Sequence, residues 1–125
     1  MTVARTRLRK LDAALARKVA EKLCARYGGK ITDIVKDYYG NKVKVLVGID
    51  VDGVSVGFSE KNGSVNVLSD RYLWRKAGKL EVHDRIVREF VKLYTAEAVS
   101  RALMKEGYDI RVQEYLDGVV IDAYR

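Results

Sequence analysis

The chain has 125 residues, of which 48% are apolar, and this is enough for one domain with a hydrophobic core and too little for two. We therefore expect a single domain over residues 1–125. One cysteine and one histidine exclude a disulfide framework and zinc sites built from several such ligands, and a lone histidine disfavours Ser-His-Asp catalysis. No metal and no cofactor are expected.

The chain contains no apolar stretch long enough for a membrane-spanning helix, and its first residues lack the apolar segment of a secretion signal. These features predict a cytoplasmic protein without a membrane partner. Few Asn and Gln among many charged residues are typical of heat-adapted proteins, although the absence of proline points the other way.

The net charge of +7 is concentrated at one end of the chain. Residues 1–30 contain nine basic and two acidic residues, a net charge of +7, so the remainder sums to zero. Such asymmetry favours an anionic partner, either nucleic acid or an acidic protein. The alternative is that the charge serves solubility and forms ion pairs with the more acidic C-terminal part.

The spacing of apolar and polar residues predicts the first helix and strands of the chain. Residues 2–9 alternate arginine with smaller side chains, which predicts an extended segment or the approach to a helix. Asp12 as N-cap, an apolar stripe and Gly28-Gly29 predict a helix over 12–27. From 30 to 69 the period changes to two, and turn residues divide the segment into four strands, which predicts an antiparallel meander.

The last third of the chain predicts a second helix and a hairpin. Residues 71–80 read as irregular, and Asp84, paired with His83, is predicted to cap a helix that runs to Glu106. Segments on both sides of Asp117-Gly118 predict a final hairpin. The expected fold is an α+β two-layer sandwich, with a mostly antiparallel sheet of about five to seven strands and two helices packed on one face.

Two basic clusters, one within residues 5–26 and one within residues 71–76, are candidates for nucleic-acid binding. The segment from Arg71 to Lys76 alternates cations with aromatic residues, a combination that suits single-stranded nucleic acid. A solvated loop with inward aromatics is the alternative. The candidate contacts are Arg5, Arg7, Arg9, Lys10, Lys18, Lys22, Arg26, Arg71, Arg75 and Lys76.

Asp70 and Trp74 allow two interpretations. A carboxylate beside large aromatics suits the mouth of a pocket, whereas the structural alternative has Asp70 capping a turn and Trp74 filling the core. Cys24 lies beside the apolar stripe of the first helix, and we expect a buried thiol without a catalytic role. Exposed tyrosines, Tyr38-Tyr39 and Tyr115 among them, are candidates for a partner surface.

Several short motifs resemble a known family. They are Gly57-Phe58, the Asn62-Gly63 turn, the apolar strand that ends in Asp70, the aromatic pair with Trp74, Tyr94 on the second helix, Gly107-Tyr108 and Asp117-Gly118. In this pattern the chain resembles the hypothetical chloroplast reading-frame thirty-five family of cyanobacteria, algal plastids and other microbes. It departs from that pattern at Lys92 and Leu93, where the family has Gln-Arg. The resemblance covers nearly the whole chain and implies no activity.

The sequence contains no recognisable catalytic motif. We therefore expect a non-enzymatic, small basic binding or adaptor module that contacts nucleic acid or another polyanion through its basic N-terminal quarter. The alternative is a structural or protein-interaction domain, such as a homodimer or a complex subunit, in which charge serves solubility only.

Overall fold

The computed structural model describes residues 2–6, 8–116 and 118–125. The elements in chain order are β1 (Thr2–Arg5), α1 (Ala13–Tyr27), β2 (Lys30–Lys36), β3 (Lys42–Val51), β4 (Val54–Lys61), β5 (Ser64–Ser69), α2 (Arg71–Lys76), α3 (Leu80–Lys105), β6 (Asp109–Tyr115) and β7 (Gly118–Tyr124). Strands β1 to β5 form an antiparallel sheet in the order β1-β5-β4-β3-β2, and β6 pairs with β7 in a separate sheet. The predicted α+β class is confirmed.

Helix α1 begins and ends where the sequence predicts. The Asp12 carboxylate accepts a hydrogen bond from the Leu15 amide at 2.8 Å, which satisfies one of the free N–H groups at the helix start. Gly28 ends the helix in the left-handed conformation, with φ of 70°. The buried stripe comprises Leu15, Ala16, Val19, Ala20, Leu23 and Cys24.

The β2 to β5 meander is confirmed, and two of its turns have the predicted chemistry. Asn62 and Gly63 both have positive φ, 52° and 73°, and connect β4 to β5 through a two-residue loop. Asp52 and Gly53 do the same between β3 and β4. Positive φ at both central residues matches the twist of the flanking strands and favours Asn-Gly and Asp-Gly.

One face of the sheet supports α1 and α3. Val47, Phe58 and Val67 are register partners across β3, β4 and β5, so their side chains point to the same side. The Phe58 ring stacks on Phe90 of α3 with centroids 3.8 Å apart, and Phe90 in turn contacts Tyr94. These residues belong to one buried core that also includes the α1 stripe.

The outer part of the β2–β3 hairpin bends over the opposite face of the sheet and covers part of it. The register of β2 against β3 shifts between Thr32 and Ile34, and such a bulge bends a strand pair. Val35 and Val45 are buried against Gly57 of β4, where a Cβ would lie 2.7 Å from Val35 Cγ2 and 2.6 Å from Val45 Cγ1. Only glycine allows the outer part of the β2–β3 hairpin to come this close.

The sequence-based prediction of the helices after β5 is wrong in two respects. Residues 71–76 form α2 rather than an irregular segment, because Asp70 caps the first turn. Helix α3 begins at Leu80 instead of Asp84, and its N-cap Lys79 makes no side-chain capping bond. Capping by the His83-Asp84 pair is therefore also wrong, because both residues lie inside the helix.

Strand predictions need two smaller corrections. The extended N-terminal segment forms a strand only over Thr2–Arg5, and Arg9 lies beyond it. The predicted Arg7 contact and the Asp117 position of the Asp117-Gly118 turn lie outside the described residues. The β6–β7 hairpin does not join the main sheet, because one of its faces packs on α1 and α3 instead.

Replacing Gly57 with Ala should lower the free energy of unfolding by about 1–3 kcal/mol, because the new methyl overlaps two buried valines. Chemical denaturation measures this change. The matched control is Gly118→Ala, where an added Cβ meets nothing within 4 Å. Combining Gly57→Ala with Val45→Ala should cost less than the sum of the single changes, and strict additivity would contradict the overlap.

Candidate nucleic-acid interface

The α1 cations named as candidate contacts are engaged in ion pairs. Lys18 lies 3.6 Å from Glu97 of α3, and Lys22 lies 3.5 Å from Glu114 of β6. Arg26 hydrogen-bonds Glu114, which lowers the pKa of that carboxyl to about 2. The alternative in which basic residues pair with the acidic C-terminal part is confirmed for these three side chains. Phosphate contacts from them would have to replace existing partners.

The N-terminal cations lie along the β1 edge of the sheet. Arg5 is exposed on β1 opposite Asn66, and Arg9 and Lys10 are exposed in the segment that leads to α1. Thr6 fixes this segment, because its amide and its hydroxyl both donate to the Val65 carbonyl. Binding of a polyanion by Arg5, Arg9 and Lys10 stays a prediction.

Asp70 joins the tip of the β2–β3 hairpin to helix α2. Its carboxylate accepts hydrogen bonds from the backbone amides of Tyr72 at 3.0 Å and Leu73 at 3.4 Å, which cap α2. A third amide, that of Tyr38, donates to the same carboxylate at 2.8 Å. The capping interpretation of Asp70 is therefore confirmed. The carboxylate also holds two distant chain segments side by side.

Three exposed tyrosines meet at this junction. The ring centroid of Tyr38 lies 5.4 Å from those of Tyr39 and Tyr72, with nearly perpendicular planes in both pairs. Their exposed fractions are 55%, 85% and 52% for Tyr38, Tyr39 and Tyr72. The Lys76 ammonium lies 5.9 Å from the centre of the Tyr38 ring, at the outer limit of a cation–π contact. Tyr72 and Lys76 come from the cluster that the sequence marked as basic and aromatic.

Lysines lie at the ends of the two strands that this hairpin tip connects. Lys36 and Lys42 are register partners next to the hairpin tip, and Lys44 lies on the same side two residues along β3. All three are exposed, and no carboxylate among the described residues lies within ion-pair distance of them or of Lys76. We call Lys36, Tyr38, Tyr39, Lys42, Tyr72 and Lys76 the tyrosine–lysine surface. Sequence reasoning singled out Tyr72 and Lys76 in the basic and aromatic segment and Tyr38-Tyr39 as a candidate partner surface. It missed the hairpin lysines, because they are distant from α2 in sequence.

Of the other α2 cations, Arg75 is exposed, whereas Arg71 belongs to a hydrogen-bonded network. Arg71 contacts Asp84 at 2.6 Å, and Asp84 accepts from His83 Nδ1 at 2.8 Å. An imidazole that donates through Nδ1 accepts through Nε2, here from the Ser69 hydroxyl at 2.8 Å. The structure thus connects a serine, a histidine and an aspartate, although the sequence disfavours such a set.

This network lies at a cavity of about 210 Å³ between β1, β5 and α3, and the lining of that cavity includes Ser69, Arg71, His83 and Asp84. Ser69 is 3% exposed and His83 is 4% exposed, and the Ser69 backbone is paired with strands on both sides. The Ser69–His83 hydrogen bond links β5 to α3 and satisfies two buried polar side chains.

Three motif residues of the family resemblance, Phe58, Trp74 and Tyr94, occupy core positions. Trp74 is fully buried and donates its indole N–H to the Ser55 carbonyl at 2.9 Å, so the pocket-mouth interpretation of Trp74 is wrong and the core interpretation is confirmed. Phe58 lies in the aromatic stack, and the Tyr94 hydroxyl accepts from the Asp12 amide at 2.8 Å. Gly57 permits the close strand approach described above. Membership of the family stays a prediction.

Cys24 is buried, as predicted, and burial raises the pKa of its thiol, which makes it a weak nucleophile. Among the described residues, no group of three or more His, Cys, Asp or Glu side chains is arranged to hold a metal ion. Within the same residues, no helix is both long enough and apolar enough to span a bilayer.

Comparison of the chain with protein-family models, curated proteins and solved structures finds no match. Functional inference therefore depends on the geometry of the residues themselves.

Stability should depend on His83 in mildly acidic solution. Burial lowers the pKa of His83 below its usual 6.5, so the unfolded chain takes up a proton before the folded one does. The free energy of unfolding should therefore fall as the pH drops below about 6.5. Denaturation at stepwise pH values measures the slope, and His83→Gln should flatten it because His83 is the only histidine. An equal slope in the variant would contradict this assignment.

Trp74→Ala should reduce the free energy of unfolding by about 3–5 kcal/mol, because it leaves a large cavity and an unpaired Ser55 carbonyl. Trp74 is the only tryptophan, so the emission of the parent protein should be blue-shifted. Emission typical of a water-exposed indole would contradict its burial.

Proposed function

We propose that the protein is a non-enzymatic binding module for single-stranded nucleic acid, with the tyrosine–lysine surface as its main contact. The observation that carries the proposal is the cluster of three exposed tyrosine rings beside lysines that have no carboxylate partner within the described part of the chain. This surface replaces the α1 cations as the preferred binding site. Arg5, Arg9 and Lys10 provide a second basic area on the β1 edge.

The rings support the proposal because exposed aromatic side chains are what unpaired bases stack upon. Tyr38 and Tyr72 contact each other edge to face, and this mutual contact holds both side chains in place. Asp70 fixes the backbone on both sides of that contact. The rings are therefore pre-arranged, which reduces the loss of entropy on binding.

The charges support the same partner. Lys36 and Lys42 flank the rings on the hairpin, and Lys76 follows on α2. Cations without carboxylate partners can neutralise phosphates without first breaking an ion pair. An acidic protein would use the same lysines, but it offers no bases to stack on the tyrosines.

A binding titration with fluorescent single-stranded RNA and DNA tests the role of the rings. Replacing Tyr38, Tyr39 and Tyr72 together with Ala should weaken binding by at least tenfold, because stacking contributes about 1–3 kcal/mol per base. The matched control replaces Tyr115 and Tyr124, which are similarly exposed on the β6–β7 hairpin. Equal losses in both variants, or equal affinity of the parent for duplexes, would contradict the proposal.

The salt dependence of the same titration tests the cations. Changing Lys36, Lys42 and Lys76 to Gln should reduce the slope of log affinity against log salt by about 2, since each single-strand phosphate contact contributes about 0.7. Changing Lys18 and Lys22, which are ion-paired, should leave it unchanged. The variant with Arg5, Arg7 and Arg9 changed to Ala measures the N-terminal contribution. Failure of the parent to bind at about 50 mM salt would overturn the proposal.

A protein-interaction domain is the second candidate, and the β6–β7 hairpin favours it. Its outward face exposes Tyr115, Val120 and Tyr124, and Leu116 at its turn is fully exposed. Tyr115, Leu116 and Val120 lie near the turn of the hairpin, and exposed apolar side chains that lie close together are typical of contact surfaces. Light scattering that shows a dimer, lost on Val120→Glu, would give this candidate first place if nucleic acid does not bind. A cytoplasmic location and the family resemblance remain part of the proposal.

A further inference from the structure

An open groove of about 880 Å³ runs along α3 beside the β6–β7 hairpin. The apolar part of its lining comprises Ala96 and Val99 of α3, Leu116 at the hairpin turn, and Val119 and Ile121 of β7. Val99 is 43% exposed and Leu116 is fully exposed. Exposed apolar side chains in a concave surface are typical of a binding site. We call this feature the α3–β7 groove.

The edge of β7 that borders the groove has no strand partner in the described part of the chain. β7 pairs with β6 in a sheet of two strands, and the groove is lined by residues of β7 but by none of Asp109–Tyr115, which form β6. Backbone N–H and C=O groups on such an edge are free to pair with another strand. The groove therefore offers backbone hydrogen bonds to an extended peptide, a common mode of peptide recognition.

β7 and α3 run in the same direction along the groove. The Lys92 ammonium donates to the Tyr115 carbonyl at 3.2 Å, which places the hairpin turn beside the middle of the helix. Arg125 donates to the Glu106 carbonyl at 3.3 Å, which places the end of β7 beside the end of the helix. The part of α3 before Lys92 therefore extends beyond the hairpin turn.

That part of the groove carries positive charge. It is lined by Arg85, Arg88 and Glu89. Arg85 pairs with Glu81 of its own helix, and Glu89 pairs with Arg26 of α1. Arg88 is exposed, and among the described residues no carboxylate lies within ion-pair distance of it. A guanidinium of this kind can bind a carboxylate through two hydrogen bonds without first breaking an ion pair.

The distance along α3 sets the length of a matching peptide. From Arg88 to Val99 the helix rises about 16 Å, which an extended chain spans in about five residues. Antiparallel pairing is the more stable arrangement per residue. A strand antiparallel to β7 begins in the apolar part of the groove, and its C-terminal end reaches Arg88.

We propose that the α3–β7 groove binds an extended peptide segment of another protein by strand addition to β7. Apolar side chains of the segment lie against Val99, Leu116 and Val119, and an acidic side chain near its C-terminal end pairs with Arg88. The groove is separate from the tyrosine–lysine surface and from the outward face of the hairpin. This inference therefore holds or fails independently of nucleic-acid binding and of dimer formation.

The test is a fluorescence-anisotropy titration with the labelled, amidated peptide Val-Ser-Val-Ser-Val-Glu-Glu. We expect saturable binding, and binding at least tenfold weaker when both glutamates are replaced with lysine. Two further peptides carry N-methyl groups on the serine amides or on the second and third valine amides. Only alternate amides of a strand face its neighbour, so one of the two should lose binding and the other should keep it. No saturable binding, equal affinity for the glutamate and lysine peptides, or equal effects of the two methylation patterns would overturn the proposal.

A charge reversal tests the role of Arg88. Arg88→Glu should weaken binding of the glutamate peptide about tenfold, because attraction is replaced by repulsion, and should strengthen binding of the lysine peptide. The matched control is Lys105→Glu, because Lys105 is another exposed cation of α3 and lies outside the groove. This control should leave both affinities within about twofold. Equal changes in the two variants would indicate a general effect of net charge and overturn the assignment.

Amide hydrogen exchange and competition locate the bound peptide. Exchange should slow within Gly118–Tyr124 when the peptide binds the parent protein, and unchanged exchange in that strand would contradict strand addition. Single-stranded RNA should leave the peptide bound, because its proposed contacts lie on the tyrosine–lysine surface. Displacement of the peptide by RNA would assign the groove to nucleic acid and overturn the proposal.

Discussion

The stack of Phe90 on Phe58 fixes α3 to the sheet, and the other contacts of α3 depend on that position. One turn later, Tyr94 accepts from the Asp12 amide and so holds the beginning of α1. One turn before Phe90, Ile86 lies in the same core. A further turn towards the start of α3, His83 forms a hydrogen bond with Ser69 of β5. The C-terminal half of α3 packs against the β6–β7 hairpin. A long helix with one buried stripe thus organises both sheets.

The basic residues of this chain divide into two groups with different surroundings. Those on α1 face carboxylates of α3 and β6, and this network closes the side of the fold where the hairpin lies. Glu114 accepts from Arg26 and also lies near Lys22 and Lys92, so one carboxylate serves several cations. Lys36 and Lys42 at the β2–β3 tip and Lys76 on α2 have no such partners among the residues described. Both groups have the same positive charge, so net charge alone does not distinguish them. Only the second group can bind a polyanion without first breaking an ion pair.

Asp70 shows how one residue can have a local and a long-range role. As an N-cap it begins a helix of only six residues, too short to form in isolation. Its third hydrogen bond, from Tyr38, connects that helix to the hairpin tip. Trp74, buried beneath α2 and bonded to Ser55, anchors the helix from below. These bonds bring Tyr38 and Tyr72 together, although 33 residues lie between them in the chain.

Local patterns in the sequence determined α1, the meander and its Asn-Gly and Asp-Gly turns, because caps, apolar periodicity and positive φ depend on neighbouring residues. They also indicated that Asp70 caps and that Trp74 is buried. The start of α3 escaped prediction because Lys79 carries no capping bond, and packing rather than a local signal determines where that helix begins. The tertiary structure alone decided which lysines are paired and which tyrosines meet. Each of these outcomes depends on contacts between residues far apart in sequence, which no local pattern encodes.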